Sequence, residues 1–188
     1  MHPPPALRRM LLGLALMLAL WLPAAPEARA QGIELASLQV SRNDGVLALD
    51  FTVRINLSSG VDDALSRGVP IYFLAQADLY RNRWYWRDER VARISRTWRL
   101  AYQPLTGSWR VGFGGLNQTF GTQAEAIAAL SRSANWRLTD VAQLDPDSRY
   151  YLEFSHRLDT TQLPSPMQIG LSGQSDWALS VERTIRVE

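Results

Sequence analysis

The chain has 188 residues, 46% of them apolar and 20% charged, with no cysteine and only two histidines, His2 and His156. That balance describes a globular chain and excludes disordered and collagen-like classes. The missing thiols exclude disulfide scaffolds, zinc ribbons, thiol catalysis and lipoprotein acylation, and two imidazoles leave almost nothing for a multi-histidine metal site or a catalytic triad.

Chain order begins with Arg8 and Arg9, then an uncharged run from Met10 to Ala25 and the small-residue pattern Ala28, Arg29, Ala30. A basic start, a short apolar stretch and an A-x-A site predict a secretory signal peptide over residues 1–30. The run is shorter than the roughly twenty residues that span a bilayer. An uncleaved leader acting as an inner-membrane anchor is the competing reading. Removal at Ala30 takes away three arginines and one glutamate, leaving 17 Arg and 17 acids in 31–188. The whole-chain pI of 9.3 therefore belongs to the leader, and a nucleic-acid partner is not expected. No linker composition or internal repeat divides 31–188, which reads as one domain.

Ile33–Ser41 reads as a strand, and Val46–Leu57 alternates strictly, with Leu47, Leu49, Phe51, Val53, Ile55 and Leu57 on one parity. Asn43, Asp44 and Gly45 between them tolerate positive φ and predict a hairpin. Ser59–Gly68 reads as one short helical turn. Ile71–Trp86 and Val91–Tyr102 are aromatic and β-branched, and Pro104–Gly107 supplies a turn. Pairing Tyr102 with Trp109 then sets Leu100 beside Val111 and Trp98 beside Phe113 on one face. Thr122 with Glu125 forms a capping box opening one short α-helix over about 122–132. An extended segment follows from Asn135 to Leu144.

Leu144–Tyr150 resembles the corner that precedes the penultimate strand of immunoglobulin-like and fibronectin type III sandwiches, where a tyrosine buries its ring and its hydroxyl reaches back to the turn backbone. Tyr150, Leu152, Phe154, His156 and Leu158 then share one parity. A last strand from Trp177 carries Leu179, Val181, Ile185 and Val187. These elements predict an all-β, antiparallel immunoglobulin-like β-sandwich of about seven to eight strands with one inserted helix. A closed barrel is the rival architecture.

Four stretches, Gly68–Phe73 (GVPIYF), Arg83–Glu89 (RWYWRDE), Arg99–Leu105 (RLAYQPL) and Leu158–Gln168 (LDTTQLPSPMQ), together with Trp177, resemble in order and spacing a proteobacterial family of exported proteins known as domain of unknown function 4390. The resemblance implies an envelope protein of unassigned activity with a nitrogen-regulation-type membrane sensor kinase as a candidate partner. It brings no catalytic residues.

No polar cluster announces catalysis. Ser155 and His156 are adjacent in a strand and point to opposite faces, so with Asp159 they do not make a triad. Asp62 with Asp63, and Asp145 with Asp147, read as helix-start and turn residues rather than cation ligands. Gly112, Gly114 and Gly115 lack the lysine and helix of a phosphate loop. No cofactor and no metal are expected. Arg81–Arg90 admits two readings. Either one parity is core and its arginines are the wet face, or Arg83, Trp84 and Trp86 are exposed and stack on a sugar or a peptide. The segment Asp159–Gln168 is the stronger binding candidate, with Gln162 and Gln168 as polar contacts and Leu163, Pro164 and Pro166 held near polyproline II. Replacing Gln162, Leu163 and Pro164 together is expected to spare folding. The functional expectation is a non-enzymatic module that binds another envelope or inner-membrane protein, with a carbohydrate-binding aromatic platform as the alternative and membrane contact only through an uncleaved leader.

Overall fold

The computed structural model describes residues 32–164, 168 and 174–187. The leader and Pro166 lie outside the described residues. Nine antiparallel strands form two sheets among the described residues. The smaller contains β1 (Gly32–Asn43), β2 (Val46–Asn56) and β7 (Arg132–Asp140) in the order β1-β2-β7. The larger contains β3 (Ile71–Arg81), β4 (Glu89–Gln103), β5 (Ser108–Phe113), β6 (Leu116–Phe120), β8 (Tyr150–Leu158) and β9 (Ser180–Val187) in the order β6-β5-β4-β3-β8-β9. Two helices, α1 (Ser59–Ser66) and α2 (Gln123–Leu130), connect strands. The fold is an all-β sandwich, not a closed barrel.

The core follows from parity. Leu47, Leu49, Phe51, Val53 and Ile55 of β2 are buried, as are Tyr150, Leu152, Phe154, His156 and Leu158 of β8. Phe51 crosses from the small sheet to the large one, with ring centroids 4.9 Å from Phe154, 5.9 Å from His156 and 6.3 Å from Trp98. One stripe from each sheet thus closes a single dry layer. The registers Trp98↔Phe113, Leu100↔Val111 and Tyr102↔Trp109 are those the aromatic spacing predicts. The capping box at Thr122 forms in both directions, its side chain accepting from the Glu125 amide while the Glu125 carboxylate accepts from the Thr122 amide, each at 3.3 Å. Asp44 (φ 50°) and Gly45 (φ 76°) turn β1 into β2 in the left-handed conformation that a two-residue hairpin needs.

Five expectations need correction. Among the described residues strands number nine, against about seven to eight, because Leu116–Phe120 pairs with β5 across a Gly114–Gly115 turn. Among the described residues two eight-residue helices stand rather than one, because Ser59–Ser66 runs eight residues behind a Ser58 cap. The first aromatic segment stops pairing at Arg81 rather than Trp86. The strand after α2 stops at Asp140, and Val141–Gln143 coils into a 3-10 turn. Trp177 sits in a 3-10 turn ahead of β9 rather than in it.

The two ends of the sandwich differ. Gly32 pairs with Asn56, beside α1 and the segments around Asp159 and Trp177. At the far end stand the Asp44–Gly45 turn, the Asp145–Tyr150 corner and the β3–β4 loop, joined by bonds from the Val141 amide to the Gly45 carbonyl (2.8 Å) and from the Asn82 amide to the Arg149 carbonyl (2.9 Å). Strand length places these ends ~40 Å apart.

Candidate functional site

The β3–β4 loop, residues 82–88, carries the most anomalous surface of the molecule. Trp84, Tyr85 and Trp86 are 91%, 71% and 70% exposed. The reading that places one parity of this segment in the core is therefore corrected: the chain leaves the sheet at Arg81, so strand parity no longer directs these side chains inward. Single exposed apolar residues are ordinary, but three consecutive aromatics at a tip are not.

The base of that loop is held from several sides. Arg81 and Arg83 both hydrogen-bond and ion-pair with Glu89. The Arg83 amide donates to Asp88 Oδ1 at 3.0 Å, and the Tyr151 hydroxyl donates to Asp88 Oδ2 at 2.8 Å. Arg83 and Tyr151 together hold the Asp88 carboxyl below its ordinary range, and Arg81 does the same for Glu89. Burial, reinforced by Asp88, pushes the Tyr151 phenol up to about 12. Tyr151 also stacks on Tyr80, with centroids 5.2 Å apart. Both acids therefore stay charged through the neutral range.

At the adjoining corner the Tyr150 ring is buried, and its hydroxyl oxygen reaches back to the turn backbone by accepting from the Asp145 amide at 2.8 Å. Asp145 in turn accepts from the Asp147 amide and the Ser148 hydroxyl, which hold its carboxyl below the usual range. Asp145 and Asp147 are thus turn residues. At the other end, Asp62 sits in the first turn of α1 and accepts from the Gln123 side chain. Among the described residues no group of three or more His, Cys, Asp and Glu could hold a metal ion.

The Asp159–Gln168 segment is stapled to itself. Asp159 is buried and accepts from the amide and hydroxyl of Thr161. The Gln168 side-chain Nε2 donates to the carbonyls of Thr161 and Leu163 at 2.8 and 2.6 Å. Leu163 is only 3% exposed and belongs to the core. The expectation that Gln162, Leu163 and Pro164 can be replaced together without harm to folding is therefore corrected, since truncating a buried leucine costs about 2–5 kcal/mol. Gln162 and Pro164 remain exposed. Beside them lies an open groove of about 570 Å³ between Arg157–Thr161 and Gln174–Ser180. Its wall is tied to α1, where the Ser58 hydroxyl donates to the Asp176 carbonyl.

His156 faces the core with no exposure, while Ser155 pairs with Gln76 and Glu182 on the other face of the sheet. The two side chains do not meet. Arg96, which the sequence reading passed over, lies 4.9 Å from the Trp136 ring and 5.4 Å from the Phe113 ring and hydrogen-bonds the Ser133 hydroxyl, joining β4 to β7. Its position on the inward parity of β4, two residues before Trp98, is the signal that finds it.

The family model described as domain of unknown function (DUF4390) matches residues 30–186. The chain belongs to that family. The match runs from before β1 to the penultimate residue of β9, so the aromatic loop and the stapled segment are both parts of the family's domain. No curated protein and no solved structure matches the chain.

Proposed function

We propose that this DUF4390 chain is an exported, non-enzymatic recognition domain that captures another envelope or inner-membrane protein through Trp84, Tyr85 and Trp86. The observation that carries the reading is the exposure of those three rings on a loop whose base is locked by Glu89, Asp88 and Tyr151. Tryptophan and tyrosine dominate binding hot spots, and a preformed loop loses little entropy on docking. Arg8, Arg9, the apolar run and the A-x-A site support export. A proteobacterial membrane sensor kinase is the candidate partner that the family resemblance suggests. The strand order β1-β2-β7 facing β4-β3-β8-β9, with Tyr150 at the start of β8, supports an immunoglobulin-like relationship in which β5, β6 and α2 are an insertion. Such a fold leaves function to its loops.

The three rings are exposed at a loop tip, which suits a concave pocket on a protein better than a sugar ring. Trp84 and Tyr85 stand at 74° to one another and present no common flat platform. The joint substitution Trp84→Ala and Trp86→Ala is expected to leave stability within about 0.5 kcal/mol, as at exposed sites generally. It is expected to weaken partner binding at least about 100-fold, since each ring carries hot-spot energy. Denaturant melts beside titration against the crosslink-identified partner check this. Undiminished binding by the double variant contradicts the reading, and glycan-dependent quenching of tryptophan emission favours the carbohydrate alternative.

A further inference from the structure

The larger sheet ends in β6, which touches the following helix α2 but pairs, among the described residues, with no strand other than β5. β1 lies against β9 and β7 against β4, so those edges have neighbours from the facing sheet. β6 pairs with β5 on one side and, among the described residues, with no strand on the other. Proteins commonly blunt such edges with charge, proline or a bulge. Leu116, Asn117, Gln118, Thr119 and Phe120 carry no charge and no proline, their register on β5 has no bulge, and Leu116 is 74% exposed.

The β5–β6 turn fixes which backbone groups are free. Gly114 (φ 55°) and Gly115 (φ 85°) make a two-residue hairpin closed by Phe113 and Leu116. Antiparallel pairing alternates, so Leu116, Gln118 and Phe120 direct their amides and carbonyls toward β5, while Asn117 and Thr119 direct theirs outward. From this we infer that β6 is a self-association edge whose occupant is β6 of a second copy of the chain, running antiparallel about a two-fold axis at Gln118.

The sequence of the strand is complementary to itself only in that register. Asn117 meets Thr119 of the second copy, and Thr119 meets Asn117, which uses all four outward amides and carbonyls in hydrogen bonds. An axis on Asn117 or on Thr119 would use two. Gln118 then faces its own copy at a non-hydrogen-bonded position, where Cα atoms approach to about 4.5 Å. Leu116 packs against Phe120 of the second copy on the face that already holds Val111 and Trp109, and no like charges oppose one another. The larger sheets of two molecules become one continuous sheet, with both aromatic loops left free. The inference is independent of what those loops bind.

The absence of cysteine makes the register testable. The full chain, purified in the form that accumulates in cells, is expected to sediment as a dimer at about 100 µM. Gln118→Cys is expected to form an intermolecular disulfide on mild oxidation, because its Cα separation lies in the bonding range. Asn117→Cys alone is expected to stay reduced, since two residues of offset put its Cα atoms beyond about 7 Å. Asn117→Cys with Thr119→Cys in one chain restores the crosslink. Thr119→Pro deletes an outward amide that only the second copy uses, a substitution that edge strands tolerate, and is expected to give a folded monomer. A monomer at every concentration, or crosslinking of Asn117→Cys as efficient as that of Gln118→Cys, overturns the inference. The cysteine readouts stand even if the proline variant fails to fold.

Discussion

Lowering the pH from about 6.5 to 4 is expected to remove about 3 kcal/mol of folding stability through a single side chain, His156. The imidazole has no exposure and packs among Phe51, Phe73 and Trp98, with centroids 5.9, 6.1 and 6.0 Å away. Neither ring nitrogen has a hydrogen-bond partner among the described residues. Burial pushes its pKa down to about 4, against an ordinary 6.5. Above 6.5 the group is neutral in both folded and unfolded chains and contributes no pH dependence. Between 6.5 and 4 the unfolded chain takes up a proton that the folded chain refuses, so stability falls at about 1.4 kcal/mol per unit of pH. Below 4 both states are protonated and the contribution levels off. The lowered carboxyls of Asp88, Glu89 and Asp145 act in a lower window that meets the histidine one only at its acid end: their stabilisation is present above the ordinary carboxylate range and is lost as pH falls from that range through their lowered values. The substitution His156→Leu, of similar volume, is expected to flatten the curve between pH 6.5 and 4 while staying within about 1.5 kcal/mol of the parent at pH 7.5. Urea melts across that range check it. An unchanged slope in the variant would place the acid-sensitive group elsewhere.

Phe51→Ala is expected to cost about 3–5 kcal/mol, the range for deleting a fully enclosed phenylalanine. Phe51 joins the sheets: its ring lies within 4.9–6.3 Å of Trp98, Trp136, Phe154 and His156, which come from β4, β7 and β8. The vacated space borders two indoles and a phenyl ring that cannot all collapse inward, because each is fixed by its own strand register. For a domain of this size the loss corresponds to a fall in melting temperature of about 10–15 °C. Phe51→Leu keeps most of the volume and is expected to cost less than half as much. A deficit under about 1.5 kcal/mol for the alanine variant, read from denaturant melts at constant slope, would mean that the two sheets are not closed on this ring.

The contrast between the core and the β3–β4 loop shows what the sequence could carry. Strict alternation over Val46–Asn56 and Tyr150–Leu158 announced both inward stripes, because a half-buried strand writes its environment at period two. Trp98, Leu100 and Tyr102 announced their partners on β5 because a short turn leaves only one register that keeps the rings together. Parity fails where pairing stops. Trp84 and Trp86 fall on the parity of Tyr72, Leu74, Gln76 and Tyr80, the less buried side of β3, and nothing local says that the chain leaves the sheet after Arg81; the lock that holds the loop comes from Glu89 and from Tyr151, more than sixty residues away. β6 was hidden for the opposite reason. Leu116, Asn117, Gln118, Thr119 and Phe120 include few strong strand formers, so the Gly114–Gly115 pair that marks the hairpin has no clear strand signal on its C-terminal side. In the Asp159–Gln168 segment the two prolines are legible, but not the burial of Leu163 or the bonds of the Gln168 side chain, which depend on the 3-10 turn Thr160–Gln162 lying against β3.

Photocrosslinking in living cells, with a photoreactive amino acid in place of Tyr85 and, separately, of Thr184 on β9, tests the recognition role most directly. The proposal predicts one discrete adduct with a specific envelope or inner-membrane protein from position 85, lost when Trp84 and Trp86 are changed to alanine, and none from position 184. Equal labelling from both positions, or no adduct from position 85 in cells that accumulate the folded domain, would contradict it.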